Sequence, residues 1–175
     1  MKNGLDRVDI KILCALQNKA RTTNLELSRK ISMSASACFA RVQRLRNLGY
    51  IERDVSIIAA TKLGPTLFST LEVTLDSHDL KDHRHFEQAI RDVAEIVFAV
   101  KVSGRFDYLL AMATSDMQHL SRLSDQLLDS QLGIGRMVTV PVLDVVKPFE
   151  GFPLEILANS QGRALEFEEI LGHQT

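Results

Sequence analysis

The sequence predicts an α+β chain of two modules, an N-terminal winged helix-turn-helix followed by a ferredoxin-like βαββαβ unit. Three observations lead there. Before residue 50, apolar residues recur at helical spacing in three short segments separated by tight turns. Beyond Lys62-Leu63-Gly64-Pro65 the pattern changes to four strands and two longer helices in the order β-α-β-β-α-β. Charge changes at the same place. Residues 1–62 hold 12 Lys and Arg against 5 Asp and Glu, a balance of +7, and residues 63–175 hold 9 against 17, a balance of −8. The 175-residue chain is nearly neutral at −1, yet its first module is suited to a polyanion.

Each element has its own signal. Leu5, Val8, Ile12, Leu13 and Leu16 share a helical face and predict a first helix over 6–18. Thr23-Asn24-Leu25-Glu26 has the spacing of a capping box and opens a second helix running to about Ile31, buried through Leu27 and Ile31. Ser32-Met33-Ser34 is a tight connection. Ser34 is placed to N-cap a third helix that ends near Leu48, with Gly49 as its stop signal. The β-branched run Ile51–Ala60 reads as a strand, which completes a first domain over 1–64.

The second domain spans 65–154. Its predicted strands are Thr66–Leu75, Ile96–Val102, Tyr108–Ala113 and Met137–Val146, with the middle pair joined by a hairpin over Ser103-Gly104-Arg105-Phe106-Asp107. Its predicted helices are His83–Val93 and Asp116–Leu128, the latter facing inward through Leu120, Leu123, Leu127 and Leu128. Residues 155–175 read as a loose or partner-dependent acidic tail, although ALEFEEIL within it has the makings of two helical turns.

The third helix carries the strongest functional signal. At about 100° per residue, Ala35, Cys38, Phe39, Val42 and Leu45 occupy one arc. Ser36, Ala37, Ala40, Arg41, Gln43, Arg44 and Asn47 occupy the other. Small residues near the N-terminal end, Ser34 included, allow close approach to a major groove, while Arg41 and Arg44 are placed to reach guanine edges or phosphates. Arg46 lies at the edge of the apolar arc and suits a phosphate contact or a snorkelling surface role. Arg29 and Lys30, at the end of the second helix, are placed to clamp a neighbouring phosphate or to stay solvated. The expected partner is double-stranded DNA.

Other classes find less support. No run approaches the ~18 apolar residues of a membrane span, and the start MKNGLDRVDI lacks a signal-peptide h-region, so a cytoplasmic protein is expected. Cys14 and Cys38 each fall on an apolar helical face and read as buried thiols. His78, His83 and His85 cluster in HDLKDHRHF, but His83 and His85 are two apart on a helix and diverge. A solvated helix start is expected there, with no metal and no cofactor. There is no Ser-His-Asp arrangement and no phosphate-cradling glycine loop.

These residues also carry a resemblance. Leu5, Asp6, Asp9, Ile12, Leu13, Arg21, Glu26, Leu27, Arg41, Val42, Arg44, Leu45, Gly49 and Ile51 follow the pattern of the DNA-binding domain of Lrp/AsnC, or feast/famine, transcriptional regulators. VSGRFDYLL (Val102–Leu110) is similar to that family's Gly-x-x-Asp-Tyr hairpin, and MVTVPVLDVVK (Met137–Lys147) to its final strand. The match covers about residues 5–150 in the expected order. The resemblance implies a sequence-specific DNA-binding regulator whose second domain, the amino-acid-sensing RAM domain, pairs through its sheet into homodimers and then into octamers or other rings. It implies a small-molecule effector, an amino acid, held near Ser103, Gly104, Asp107, Tyr108, Met137 and Thr139. Two departures stand out: Ser32 occupies a turn position often held by Gly, which implies slight strain or a different turn geometry, and Met137 replaces a common Thr. Siroheme decarboxylases share the two-domain architecture and are the alternative. Their hairpin is usually rich in His and aromatic residues, whereas this chain has Gly-Arg-Phe-Asp-Tyr-Leu-Leu and no Trp.

Overall fold

The computed structural model describes residues 4–19 and 21–159. Its elements are α1 (Arg7–Asn18), α2 (Asn24–Lys30), α3 (Ala35–Asn47), β1 (Leu67–Leu75), α4 (Leu80–Ala89), β2 (Ile96–Lys101), β3 (Tyr108–Thr114), α5 (Met117–Asp129), β4 (Ile134–Pro141) and α6 (Leu154–Asn159). They fall into two compact units. One joins Met1–Ile57 with the chain from Pro148 onward, and the other is Ile58–Lys147.

The first unit is a bundle of short helices whose ends are set by side-chain caps. Asp6 accepts from the Val8 and Asp9 N–H groups at the start of α1. Thr23 and Glu26 form the predicted capping box of α2, with Glu26 Oε2 accepting from Thr23 N–H at 2.8 Å. Ser34 Oγ accepts from Ala37 N–H and opens α3. Gly49, at φ 78°, closes it. The core is Ile12, Leu13, Ala15, Leu27, Cys38, Val42 and Leu45, the faces that the helical periodicity selected. Ala35 and Phe39 of the predicted inward arc are the exceptions: both are exposed, Phe39 by about half.

Residues 51–59 correct the sequence reading. No strand forms there, and Val55, Ile57 and Ile58 are exposed, Ile57 by 86%. A β-branched run makes a strand only when a neighbour supplies a ladder, and among the described residues none pairs with it. A short 3-10 turn, Ala60–Lys62, follows.

The segment after β4 returns to the helical unit. Gln17 clamps Phe152 through its whole amide, Nε2 donating to Phe152 O and Oε1 accepting from Phe152 N–H, both at 2.9 Å. Gly151, at φ 126°, permits this approach, since a Cβ there would lie 2.2 Å from the Gln17 side chain. Leu154, at the start of α6, then packs on the core of α1–α3. ALEFEEIL and the rest of the predicted tail from 160 onward lie outside the described residues.

The second unit is a four-stranded antiparallel sheet in the order β2-β3-β1-β4. Leu71, Val73, Leu75, Tyr108, Leu110 and Met112 point to one face and meet Phe86 of α4 and Leu120, Leu123 and Leu127 of α5. No described helix of this unit covers the opposite face. It carries Thr70, Glu72, Leu109, Ala111, Val138 and Val140, paired in register across β3, β1 and β4. α4 begins three residues earlier than its periodicity suggested, because Asp79 takes the N-cap position and Leu80 the first turn.

Candidate nucleic-acid interface and effector site

The basic helix α3 is anchored by a buried acid. Asp9 is completely inaccessible. Its carboxylate accepts from Asp6 N–H, from Arg41 Nη1 at 2.8 Å and from Arg44 Nη2. Arg41 Nη1 also donates to Asp6 at 2.6 Å. The four groups tie the start of α1 to the middle of α3. Burial pushes the Asp9 carboxyl up, but the Asp6 N–H and the two guanidinium groups outweigh it and hold it below the usual carboxylate range. The Arg41 guanidinium is raised in turn, by Asp6 first and then Asp9.

This changes the reading of the predicted DNA contacts. Arg41 and Arg44 do lie on the basic arc, but both are engaged inside the protein. Arg46 pairs with Asp54 at 2.7 Å. Arg29 and Lys30, at the end of α2, are exposed and have no ion pair among the described residues. Ser34, Ser36, Ala37 and Ala40 form an exposed, small-residue stretch at the N-terminal end of α3, as expected. The turn leading into it passes through Ser32 at φ 56°, a left-handed conformation that costs a non-glycine residue about 1 kcal/mol.

The predicted effector residues divide among three places. Ser103 and Gly104 are exposed at the β2–β3 hairpin. Gly104 does not adopt positive φ, and a Cβ there would meet nothing within 4 Å, so the turn itself does not demand glycine. Asp107 works as a staple: its Oδ2 accepts from Leu75 N–H at 2.9 Å and its own N–H donates to Val73 O. Tyr108 is a core residue stacked on Phe86, with its hydroxyl donating to Glu87 at 2.8 Å and meeting His83 Nδ1 at 2.7 Å. Burial, then Glu87, raises its phenol strongly. Met137 and Thr139 lie opposite Val73 and Leu71, which puts them on the helix-covered side of the sheet.

Sequence reasoning missed a groove on the open side. Glu72, Thr74, Arg105, Phe106, Arg136 and Val138 are among the residues lining a hollow of about 230 Å³. Arg105 pairs with Glu72 across it. Glu72 and Thr74 of β1 stand opposite Val138 and Arg136 of β4, and the local pattern of neither strand announces that pairing. His83 was expected at a solvated helix start and is instead buried. Burial also raises the thiols of Cys14 and Cys38, consistent with inert packing roles.

Known proteins agree with this geometry in both halves. Residues 5–52 match the model of a winged helix-turn-helix DNA-binding domain, and residues 69–152 match that of the Lrp/AsnC ligand binding domain. The leucine-responsive regulatory protein of Escherichia coli is 33% identical over 143 residues, covering 82% of this chain and 87% of the relative. The proline dehydrogenase transcriptional activator of Rhizobium radiobacter is 32% identical over 145 residues, covering 83% and 93%. A transcriptional regulator of Neisseria meningitidis, solved in complex with L-Met, superposes with a TM-score of 0.82 at 28% identity, covering 87% of this chain and 99% of that one. Bundle, sheet order and both family matches converge: the chain belongs to the Lrp/AsnC family of DNA-binding transcriptional regulators.

Proposed function

We propose that this regulator acts in the cytoplasm as a dimer, or a ring of dimers, that sets two recognition helices on the half-sites of a double-stranded operator and answers to an amino acid. The observation that carries the DNA reading is the exposed small-residue start of α3 beside two cations without an ion pair among the described residues. Ser34, Ser36, Ala37 and Ala40 let the helix approach base edges, and Arg29 and Lys30 meet the flanking phosphates. Arg41, Arg44 and Arg46 sit behind this front. They contribute to the positive field; Arg41 and Arg44 are held by the buried Asp9 and Arg46 by the surface carboxylate of Asp54, so any phosphate contact they make uses their remaining N–H donors.

The test is DNA binding to the fragment upstream of the protein's own gene, measured across a salt series. Arg29→Ala/Lys30→Ala is expected to weaken binding at every sequence bound and to reduce the slope of log K against log salt by about 2, because two phosphate contacts are lost. An unchanged slope would remove both residues from the interface. Neither side chain makes an ion pair among the described residues, so thermal stability should stay at the wild-type value.

For the effector, the relative solved with L-Met and the leucine-responsive relative favour a medium-sized apolar amino acid. The hairpin residues Ser103 and Gly104 remain the proposed contacts. The groove beside them offers Arg136 to a carboxylate, Glu72 to an ammonium and Val138 to an apolar side chain. At about 230 Å³ it is smaller than a typical enclosed ligand pocket of roughly 300 Å³ or more. A second protomer would supply the missing wall, which links effector binding to assembly. Gly104→Ala fits without a clash. It is expected to keep the unliganded melting temperature and to diminish the shift produced by methionine or leucine. A full ligand shift in the variant would move the effector away from the hairpin.

A further inference from the structure

We infer that His78, His83 and Asp107 form a binding site for a divalent transition-metal ion of the zinc class. One ligand atom from each lies within 4.8 Å of the other two. The three come from separate elements: His78 from the loop after β1, His83 from the second turn of α4, and Asp107 from the residue that leads into β3. This is a different set from the His83 and His85 pair that the sequence displays, since His85 stands exposed on another side of α4.

The buried hydrogen bonds prepare His83 for such a role. Tyr108 Oη donates its proton to Glu87 Oε1 at 2.8 Å. It can therefore only accept from His83 Nδ1, 2.7 Å away. The proton of a neutral His83 is thus fixed on Nδ1, and the lone pair resides on Nε2. No hydrogen bond reaches that Nε2 among the described residues, and His83 as a whole is only 7% exposed. A buried imidazole whose second nitrogen is held by a hydroxyl and a carboxylate beyond it has the outer-shell arrangement of metal-ligating histidines. Asp107 is prepared in a similar way. Leu75 N–H occupies Oδ2 and orients the carboxylate, which leaves Oδ1 available.

Chemistry selects the ion. Two imidazoles and a carboxylate suit Zn²⁺ and its neighbours in the first transition row, whereas Mg²⁺ and Ca²⁺ prefer oxygen. Bonds of about 2.0–2.1 Å in a tetrahedral arrangement place ligand atoms about 3.3 Å apart. The site has to contract from its present spacing. His78 is exposed on a loop and can supply that movement. The positive end of α4 opposes a cation, and Asp79 at the N-cap and Asp82 in the first turn offset it; Asp79 makes no side-chain cap that would occupy it. A fourth position would be left for water. A bound ion would join the loop after β1, α4 and the β2–β3 hairpin through one centre.

The test uses the full chain with any affinity tag removed and stripped with chelator. Zn²⁺ is titrated by calorimetry, and Co²⁺ by its visible d–d absorption. One ion per chain is expected, with a tetrahedral-type Co²⁺ spectrum. His78→Ala should weaken binding at least tenfold and abolish that spectrum, and His83→Gln should do the same. His85→Ala should bind like wild type. His78 is exposed, so its variant tests the site without disturbing the core, and circular dichroism confirms its fold. Absence of stoichiometric binding to folded wild type overturns the inference. So does binding that His78→Ala leaves unchanged, or binding that His85→Ala weakens as much.

Discussion

Replacing Arg41 and Arg44 together by alanine is expected to unfold the helical unit rather than merely to release DNA. Both guanidinium groups are bonded to Asp9, whose side chain no solvent reaches. Their removal leaves a buried carboxylate with the Asp6 N–H as its remaining partner. Breaking a buried pair from one side costs about 3–5 kcal/mol, because the abandoned charge stays desolvated. Small domains have total stabilities of about 5–15 kcal/mol, and a unit of this size lies toward the lower end. Loss of DNA binding in this variant would therefore say nothing about contact. Adding Asp9→Leu removes the stranded charge and should restore most of the helical signal. DNA titration of that folded triple variant then isolates the contribution of the two arginines. Wild-type affinity would assign them wholly to the fold, and a lowered salt slope would assign them a share of the phosphate contacts.

The same cluster predicts an acid limit. The folded carboxyl of Asp9 lies below its unfolded value of about 3.9. Its contribution is complete above that value and is lost as pH falls through the folded pKa. The helical unit should therefore lose structure on acidification below about pH 4. With Asp9→Leu present, that part of the pH dependence should disappear from the circular dichroism profile.

Asp9 also marks the limit of what the sequence discloses. The helix caps were legible because a cap is local: Thr23 and Glu26 are three residues apart, and so are Ser34 and Ala37. The inward faces of α1 and α3 were legible because helical periodicity repeats within a dozen residues. The pairing of Asp9 with Arg41 and Arg44 spans 32 and 35 positions, and only folding brings those groups together. An arginine on a polar arc reads as available whether or not a distant acid claims it. The run Ile51–Ala60 failed for a related reason. Its β-branched residues carry the local preference, but a strand is made by a partner that the local sequence does not name. Met137 and Thr139 were assigned to a ligand from resemblance, whereas register with Val73 and Leu71 turns them toward the core. A one-residue shift would have faced them the other way, and the pairing that sets the register is not local to β4. Tyr108 shows the converse. Its motif was recognisable, but its hydroxyl is spent on His83 and Glu87 from α4, more than twenty residues away.

On the proposed dimer, Ala111→Arg is expected to give a monomer of 19.6 kDa and to lower operator affinity by about 10²–10⁴-fold. Ala111 stands on β3 at the middle of the open sheet face, opposite Thr70 of β1 and Phe98 of β2. No described helix of the unit lies above it, so a long side chain there extends away from the core and the fold should persist. Phe98 and Val140 of the same face are 57% and 45% exposed, and a face with this much apolar surface gains from a second copy. A guanidinium placed at the centre of such an interface, repeated by symmetry on the other protomer, sets two like charges against each other in a desolvated layer. Each monomer then meets one half-site alone, and the tethered second binding event is lost. Light scattering reads the mass, and the same DNA titration reads the affinity. A folded Ala111→Arg variant that stays dimeric would place the protomer contact elsewhere, with the exposed run at Val55, Ile57 and Ile58 as the next surface to change. A monomer that kept full affinity would remove the two-half-site model instead, because the avidity it supplies would then be dispensable.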